Sequence, residues 1–399
     1  MSRSLRVLQI VPSISLVYGG PSQMVLGFSQ GLAAQGAEVT ILTTDANGDV
    51  DQDPLDVPLN CAIAQDGYQI RYFRSAPFRR YKFSLGLLTW LALYAHEFDI
   101  AHIHALFSPV SSIAAAIARS QNLPYVLRPL GTLDPADLQK KRQLKRLYAA
   151  LLERHNLAGA AALHFTSDQE AKVSERFGVV TRDWVMPLGV TAGDAVSAEA
   201  IAATRQEYRV SSDRPLVLFM SRIDPKKGLD LLLPALEQLY AEGRTFHLVI
   251  AGANPQDASY ENQIRAQVQA SPLANCTTFT GFVSGEAKSA LLQAADLFVL
   301  PSYYENFGVA VAEAMAAGVP VVISDQVHIW SGIQRSHSGW VVPCAIPALT
   351  EAIRLALHHP GDRRQRGANA QAYARQHFSW EAIAQQMLGA YEQVVHYQP

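Results

Sequence analysis

The sequence predicts an α/β protein built from two Rossmann-like domains. Short apolar segments alternate with segments of helical periodicity, which is the pattern of parallel, doubly wound sheets. The alternation breaks near residues 186–190 and then starts again, so the chain contains two separate series. At 399 residues the chain is also too long for one ordinary hydrophobic core. Because such sheets bind ligands beyond the carboxyl ends of their strands, we expect the two sheets to face a central cleft.

The first series predicts an N-terminal domain over residues 1–190. Helical patterns over 23–35, 85–96 and 138–155 separate its strands. The expected strands are short and apolar and cover residues 5–11, 38–43, 100–105, 125–127 and 163–166.

A polar, alanine-rich stretch over 191–213 follows, and we interpret it as the linker between the domains. The second series predicts a C-terminal domain over 214–375, and residues 376–399 end the chain with a helix over about 380–396. The expected strands of this domain cover residues 216–220, 247–251, 277–280, 297–300 and 319–323.

Composition excludes several classes of protein. A formal net charge of −2 gives no global attraction to nucleic acid, and 49% hydrophobic with 17% charged residues is typical of a globular protein. No signal peptide is visible, and the longest apolar stretch, 83–95, is too short to span a bilayer. We therefore expect a cytoplasmic protein that does not bind nucleic acid.

Two glutamates, Glu305 and Glu313, form the most informative pair in the chain. They follow the apolar segment 297–300 in a stretch that is typical of a helix, with Glu305 at its mouth. Eight residues of helix span roughly 12 Å, which is about the reach from the sugar to the ribose of a nucleotide-sugar. A diphosphate between the two carboxylates would lie over the free N–H groups near Phe307 and Gly308.

Both glutamates also have structural alternatives. Glu313 lies on an otherwise apolar helix, where burial without a partner is costly, and either ribose hydroxyls or a backbone N–H would satisfy it. Glu305 would alternatively serve as an acidic residue that stabilises the helix dipole.

Two cations, Arg222 and Lys227, follow the apolar segment 216–220 and precede a helical pattern. Arg222 offers a planar fork of donors and Lys227 offers a point charge, a combination that suits a diphosphate. The structural alternative is a solvated loop.

The first series carries a histidine pair and a glycine pair. His102 and His104 alternate along their strand and share one face, so spacing alone does not choose between them. Gly19 and Gly20 follow the first strand, where glycine lets the backbone approach a phosphate or a sugar. A core histidine and an ordinary turn are the structural alternatives.

Together these motifs resemble the retaining GT-B glycosyltransferases of family 4. The resemblance is carried by Glu-x7-Glu, Arg-x4-Lys-Gly, the early Gly-Gly turn and the His-Ile-His strand, and it covers most of the chain. It implies an N-terminal acceptor-binding domain and a C-terminal nucleotide-sugar-binding domain. It also implies that the last helix packs back on the first domain.

The resemblance implies roles for individual residues. His104 rather than His102 would lie near the reacting sugar, and the catalytic set would be His104, Arg222, Lys227 and Glu305. The donor-binding set would be Gly19, Gly20, Arg222, Lys227, Glu305, Asn306, Phe307, Gly308, Val309 and Glu313. Arg128 ends a strand and is the candidate for acceptor binding in the cleft. No metal or other cofactor is expected, because the two cations and the helix dipole would stabilise the leaving diphosphate.

An acidic run offers a metal-dependent alternative. Asp49-Val50-Asp51 fits the Asp-x-Asp element of metal-using glycosyltransferases, and residues 45–51 resemble the start of a calcium loop. The run lacks the glycine at its sixth position, and its twelfth position is Asp56 instead of glutamate. We interpret it as an acidic surface loop.

The predicted activity is retaining, metal-independent transfer of a hexose from a nucleoside-diphosphate sugar, with UDP favoured and GDP next. The acceptor would be a sugar or a lipid-linked saccharide. Residues 324–330 resemble those of bacterial exopolysaccharide and lipopolysaccharide enzymes, which favours a cell-envelope glycan. Three alternatives stay open: a nucleotide-sugar 2-epimerase, a synthase or phosphorylase acting on a soluble sugar, and a non-catalytic nucleotide-sugar-binding protein.

Two cationic, amphipathic stretches lie in the first series. One carries Arg79, Arg80 and Lys82 among aromatic residues, and the other carries Lys140, Lys141, Arg142, Lys145 and Arg146 beside leucines. Such stretches bind anionic membrane surfaces, and a solvated helix face is an alternative of equal weight. The sequence thus predicts peripheral contact with the inner face of the cell membrane.

Overall fold

The computed structural model describes residues 3–15, 17, 20–48, 53–76, 82–139, 142–191, 193, 195–254 and 258–396. Within these ranges the chain forms two compact units. The first contains the residues up to Gly189 together with the segment from Trp380 onward, and the second contains Val190–Ser379. Each unit is built around its own sheet, which confirms the predicted α/β class.

The first sheet contains β1 (Arg6–Ile10), β2 (Glu38–Thr44), β3 (Ala62–Ala64), β4 (Gln69–Phe73), β5 (Ile100–His104), β6 (Tyr125–Arg128), β7 (Ala162–Phe165) and β8 (Asp183–Val185). In the described residues the strand order is β3-β4-β2-β1-β5-β6-β7-β8. All neighbours pair in parallel except β3, which runs antiparallel to β4. The chain direction across the sheet reverses between β1 and β5, which makes their carboxyl ends the topological switch point.

The helices of this region are α1 (Gly20–Ala34), α2 (Leu85–Tyr94), α3 (Pro109–Ser120), α4 (Pro135–Gln139), α5 (Arg142–Tyr148), α6 (Arg154–Gly159) and α7 (Asp168–Val173). A 3-10 turn follows α2 at Ala95–Glu97, and a π-helical turn, Ala149–Glu153, joins α5 to α6. The continuous helix predicted over 138–155 is therefore divided into shorter pieces. Helices α2, α3 and α6 bury apolar side chains against one face of the sheet, and α1 packs on the other.

The second sheet contains β9 (Leu216–Met220), β10 (His247–Ala251), β11 (Thr277–Gly281), β12 (Leu297–Leu300), β13 (Val321–Ser324) and β14 (Gly339–Val342). Its order in the described residues is β11-β10-β9-β12-β13-β14, and all of its pairs are parallel. The switch point here lies between β9 and β12. Strands β9, β10 and β12 begin and end at the residues predicted from their apolar runs.

The helices of the second unit are α8 (Ala198–Glu207), α9 (Leu229–Ala241), α10 (Ala258–Gln269), α11 (Gly285–Ala294), α12 (Val309–Ala316), α13 (Trp330–Arg335), α14 (Ile346–His358) and α15 (Pro360–His377). Two 3-10 turns, Pro225–Lys227 and Pro272–Cys276, complete it. The segment expected as a linker contains α8, which is tied to this unit by an ion pair of 3.1 Å between Arg205 and Asp296.

The last helix, α16 (Trp380–His396), packs against α1 in the first unit. The indole of Trp380 fits against two glycines, since a Cβ atom at Gly27 or Gly189 would lie 2.5 or 2.2 Å from that ring. Further along the helix, Met387 and Tyr391 are fully buried in the core. None of the helices in the described ranges combines the length and apolar character needed to cross a bilayer.

Candidate active site

The loops that follow β9 and β12 lie side by side at the switch point of the second sheet. Gly228 has a φ of 74°, and a Cβ atom there would lie 2.1 Å from the carbonyl oxygen of Pro301. Only glycine permits this approach of two backbones. The N–H of Tyr303 also donates to the carbonyl of Lys226 at 2.8 Å, so the two loops are joined by their backbones.

This packing brings Lys227 and Glu305 into contact. The ammonium of Lys227 donates to Oε2 of Glu305, and the two side chains are 14% and 23% exposed. An ammonium has three donors, and the ion pair uses only one carboxylate oxygen, so both groups keep capacity for a ligand. The sequence analysis placed both residues at one site but did not predict their contact across 78 positions of chain.

Glu305 lies in a loop, four residues before α12 begins. It was expected at the N-terminal end of that helix. Its N–H donates to the carbonyl of Gln326 at 3.1 Å, and its carbonyl accepts from the N–H of His328 at 3.0 Å. The backbone is thus extended and paired with the loop after β13. Gly308, with a φ of 82°, then reverses the chain direction, and α12 begins only at Val309.

The start of α12 presents backbone donors to this site. The N–H groups of the first helical turn have no acceptor within the helix, and the first such bond runs from Ala312 to the carbonyl of Gly308 at 3.1 Å. Gly308 and Val309 therefore contribute through their backbones.

Phe307 and Asn306, which were expected to bind the donor, differ in where their side chains go. Phe307 is 3% exposed, and its ring packs edge to face on Phe378 with a centroid distance of 5.3 Å. It can serve a ligand only through its backbone. Asn306 is half-buried and accepts a hydrogen bond of 2.6 Å from the hydroxyl of Tyr304.

Glu313 is paired with Lys288, a residue that the sequence analysis did not identify. The ammonium of Lys288, on α11, donates to Oε1 of Glu313 on α12 at 2.7 Å. The partner of this carboxylate is therefore a cation. From the sequence, ribose hydroxyls or a backbone N–H were the partners considered. The pair arises from the packing of α11 on α12, which no local sequence pattern reveals.

Arg222 lies two residues after the end of β9 and is exposed. Within the described ranges it forms no ion pair, in contrast to Lys227. Its guanidinium is therefore a cation at the carboxyl edge of the sheet without a carboxylate partner in that part of the chain.

In the first unit, His104 lies at the carboxyl end of β5, beside the switch point. It is fully buried, although it was expected to reach a cleft. Its Nε2 lies 2.7 Å from Oε1 of Gln9 on β1, and since an amide oxygen only accepts, Nε2 carries the hydrogen. Nδ1 has no partner among the described residues. Burial, followed by the charge of Arg128, lowers the pKa of His104 well below its usual value, so the ring is neutral.

Gln9 is a further candidate residue, which the sequence did not indicate. The available signal was a glutamine inside the otherwise apolar strand β1, where it is fully buried. A buried amide in a strand needs polar partners, and here the partner is His104.

Arg128 lies next to His104, because the two residues are paired in the register of β5 and β6. Its side chain is 2% exposed and does not face open solvent. Nη1 contacts the sulfur of Met24, and Nε has no partner in the described part of the chain. Burial lowers the pKa of Arg128 to about 10, which still leaves it charged near neutral pH.

The remaining candidates are less informative. Gly19, Asp49 and Asp51 lie outside the described residues. Gly20 begins α1, and a Cβ atom there would meet nothing within 4 Å in the described part of the chain, so no contact with those residues requires glycine at that position. Among the residues that the structure describes, no three His, Cys, Asp or Glu side chains form a group that could hold a metal ion.

The protein has two units, each with a doubly wound sheet, and candidate ligand groups lie at the switch point of each sheet. This arrangement defines the GT-B class of fold. The family model "Glycosyl transferases group 1" matches residues 201–373, and "Glycosyl transferase 4-like domain" matches residues 19–189. The chain belongs to this glycosyltransferase family, which confirms the resemblance drawn from its motifs. One relative, the alpha-D-kanosaminyltransferase of Streptomyces kanamyceticus, is 30% identical over 61% of this chain, and the match spans 63% of that relative.

Solved structures of GT-B proteins have the same fold. The sucrose-phosphate synthase of Thermosynechococcus elongatus covers 99% of this chain and all of its own, with a TM-score of 0.78 and 24% identity. HepE from Anabaena, solved in complex with UDP and glucose, covers 98% of this chain and all of its own, with a TM-score of 0.74 and 21% identity.

Replacing Gly228 by alanine is expected to destabilise the protein, because the new Cβ atom would meet the carbonyl of Pro301 at 2.1 Å in a left-handed backbone. Strain of this kind costs about 1–3 kcal/mol. Gly361→Ala in α15 is the matched control, since a Cβ atom there meets nothing within 4 Å. We expect that variant to be neutral or more stable by about 0.4–1 kcal/mol. Urea denaturation measures both, and equal stabilities would contradict the assigned contact.

Proposed function

We propose that the protein transfers a hexosyl group from a nucleoside-diphosphate sugar to a saccharide or lipid-linked acceptor with retention of configuration. The observation that carries this proposal is the arrangement of Lys227, Glu305 and the start of α12 at the switch point of the second sheet. UDP is the favoured nucleotide, and the similar fold of HepE, solved with UDP and glucose, supports it.

The diphosphate would bind over the first turn of α12. The N–H groups of Gly308 and Val309 and the helix dipole favour negative charge there. Lys227 would donate to a phosphate oxygen with a hydrogen that Glu305 does not use, and Arg222 would supply a bidentate fork. These groups would stabilise the leaving diphosphate without a metal ion.

The two carboxylates would hold the ends of the donor. Oε1 of Glu305, which the ion pair with Lys227 leaves out, would accept from hydroxyls of the transferred sugar. Glu313 would accept from the ribose hydroxyls through Oε2, while Lys288 fixes its Oε1. Asn306 would lie next to the sugar.

The first unit would supply the acceptor side. Nδ1 of His104 and Nε of Arg128 have no partner among the described residues, but both side chains are buried, so this role requires that the two atoms become exposed to the acceptor. Sugar hydroxyls, which both donate and accept, would then satisfy them. Gly19 and Gly20 would bring backbone close to the ligand. No side chain of this set is a candidate covalent nucleophile, so we favour same-face substitution, in which the departing phosphate takes the proton of the acceptor hydroxyl.

An amphipathic surface on the first unit supports contact with a membrane. Leu144, Leu147 and Leu151, at helical spacings of three and four, are 62%, 58% and 65% exposed. Arg142 and Arg146 are exposed in the same segment. Apolar side chains flanked by cations suit the anionic inner face of a cell membrane, where a lipid-linked acceptor would be found.

Other parts of the cationic stretches contribute less to this surface. Lys145 is turned inward to the carboxylate of Asp137 at 2.6 Å. Arg79, Arg80, Lys140 and Lys141 lie outside the described residues. Helix α2 also carries two exposed leucines, Leu85 and Leu93, which are 69% and 61% exposed.

Glu313→Ala is expected to weaken UDP binding by about 1–3 kcal/mol, the scale of a lost hydrogen bond to a charged group. Isothermal titration of the wild type and the variant with UDP measures the change. Glu286→Ala, an exposed glutamate on α11, is the matched control and should bind UDP like the wild type. An unchanged affinity of Glu313→Ala would remove this residue from the ribose role.

Replacing Leu144, Leu147 and Leu151 together by serine is expected to weaken binding to phosphatidylglycerol vesicles at least about tenfold, or 1.4 kcal/mol. The reason is the loss of apolar surface that would enter the lipid interface. A control triple variant changes Val180, Phe282 and Leu355, which are exposed on other segments of the chain, to serine. Cosedimentation with anionic and phosphatidylcholine vesicles measures both. Equal losses in the two variants, or no binding of the wild type, would refute membrane contact through α5.

A further inference from the structure

A row of buried polar groups runs from the carbonyl of Met186, the residue after β8, to the C-terminal helix inside the first unit. Nε2 of His164 lies 3.0 Å from the carbonyl of Met186, and Nδ1 of His164 lies 3.3 Å from Nε2 of His102. Nδ1 of His102 then lies 2.5 Å from the hydroxyl of Tyr391 on α16. All three ring side chains are at most 2% exposed.

The direction of every hydrogen bond in this row follows from its first member. The carbonyl of Met186 can only accept, so Nε2 of His164 carries a hydrogen. Burial lowers the pKa of His164 to about 3, so this ring is neutral and its Nδ1 is an acceptor. His102 must therefore donate from Nε2. Burial, with the neighbouring histidines and Arg128, also keeps His102 neutral, so its Nδ1 accepts the hydrogen of Tyr391.

The row reaches the candidate active site through ring stacking. The rings of His102 and His104 are stacked at a centroid distance of 4.7 Å and an angle of 8°. Among the described residues, the ring of His104 makes one hydrogen bond, from Nε2 to Gln9, and its Nδ1 has no partner. The plane of the His104 ring is therefore held by Gln9 at one nitrogen and by the face of His102.

We propose that Tyr391 is a positioning residue for the reaction: its hydroxyl fixes the tautomer and orientation of His102, and His102 fixes the ring plane of His104. Helix α16 then orients a side chain of the site, in addition to packing on the core of the first unit. This inference rests on the proposed role of His104 at the reacting sugar.

A purely apolar role does not account for the hydroxyl of Tyr391. Phe28, which packs edge to face on His102, shows that an unsubstituted aromatic ring is accommodated in this core. Without the hydroxyl, Nδ1 of His102 would be a buried acceptor with no partner, a cost that ring rotation or a change of tautomer relieves. Either change alters the surface on which His104 stacks.

Tyr391→Phe tests the inference, with Tyr125→Phe as the matched control. Tyr125 is 1% exposed in the same unit, and its hydroxyl donates to the backbone carbonyl of Asn156 at 2.7 Å, away from the histidines. Each variant therefore loses the hydrogen bonding of one buried tyrosine hydroxyl, and we expect similar losses of stability. Only Tyr391→Phe is expected to disturb the histidines.

The first readout is ¹⁵N NMR of histidine-labelled protein, which needs no substrate. In the wild type, His102, His104 and His164 are each expected as the neutral Nε2–H tautomer near neutral pH. Tyr391→Phe should shift the ring nitrogens of both His102 and His104, and Tyr125→Phe should leave them in place. A wild-type His102 protonated on Nδ1, or unshifted His104 signals in Tyr391→Phe, would overturn the inference.

The second readout is sugar transfer. Tyr391→Phe should lower kcat about 10- to 100-fold through misorientation of His104, with the donor KM little changed. Tyr125→Phe should retain the wild-type kcat. Equal kcat values in all three proteins would also overturn the positioning role. If the wild type shows the predicted tautomers but transfers no sugar from any donor, the proposed function fails, and the row of histidines is a structural network only.

Discussion

The candidate donor site depends on the contact between Gly228 and the carbonyl of Pro301. This contact holds together the two loops that follow the central strands β9 and β12, and no side chain larger than hydrogen fits between them. As a consequence, Lys227 forms an ion pair with Glu305. The backbone of Glu305 forms hydrogen bonds with the loop after β13. That pairing sets where Gly308 turns the chain into α12, and hence where the free N–H groups of the helix lie. A single steric constraint therefore places a cation, a carboxylate and a helix N-terminus at one switch point.

In the first unit, polar groups also lie at the switch point of the sheet, but burial and hydrogen bonding hold them there. Its switch point, between β1 and β5, is occupied by fully buried polar side chains, Gln9, His102 and His104. Burial keeps the histidines neutral, so they act as oriented hydrogen-bonding groups and do not contribute charge. The orientation is completed by Tyr391 from α16, which is anchored by Trp380 against glycines of α1 and of the segment after β8. The charged donor groups of the second unit and the neutral groups of the first suit a diphosphate and sugar hydroxyls, respectively.

Local sequence patterns predicted part of this account. The strands β9, β10 and β12 were placed to the residue because they are continuous apolar runs, each fully buried in a parallel sheet. The strands β3, β4, β8 and β14 were not predicted, because each of them is partly exposed and gives a weaker apolar signal. The spacing of the sequence makes Lys227, Glu305 and Glu313 candidates, but it does not predict the ion pairs of Lys227 with Glu305 and of Glu313 with Lys288, because each pair joins different elements. Only tertiary packing decides such contacts, and the same holds for Tyr391, which lies 289 residues from its partner His102.

The central claim is that the loops after β9 and β12 form a nucleotide site that works without a metal ion. A thermal-shift series with UDP, GDP and ADP, first without metal and then with Mg²⁺, tests it most directly. At 100 times its Kd, a bound nucleotide adds about 2.7 kcal/mol of stability, which is a readily measured shift. We expect UDP to raise the melting temperature without metal and Lys227→Ala to abolish most of this shift. A shift from no nucleotide, or a shift that appears only with Mg²⁺, would contradict it.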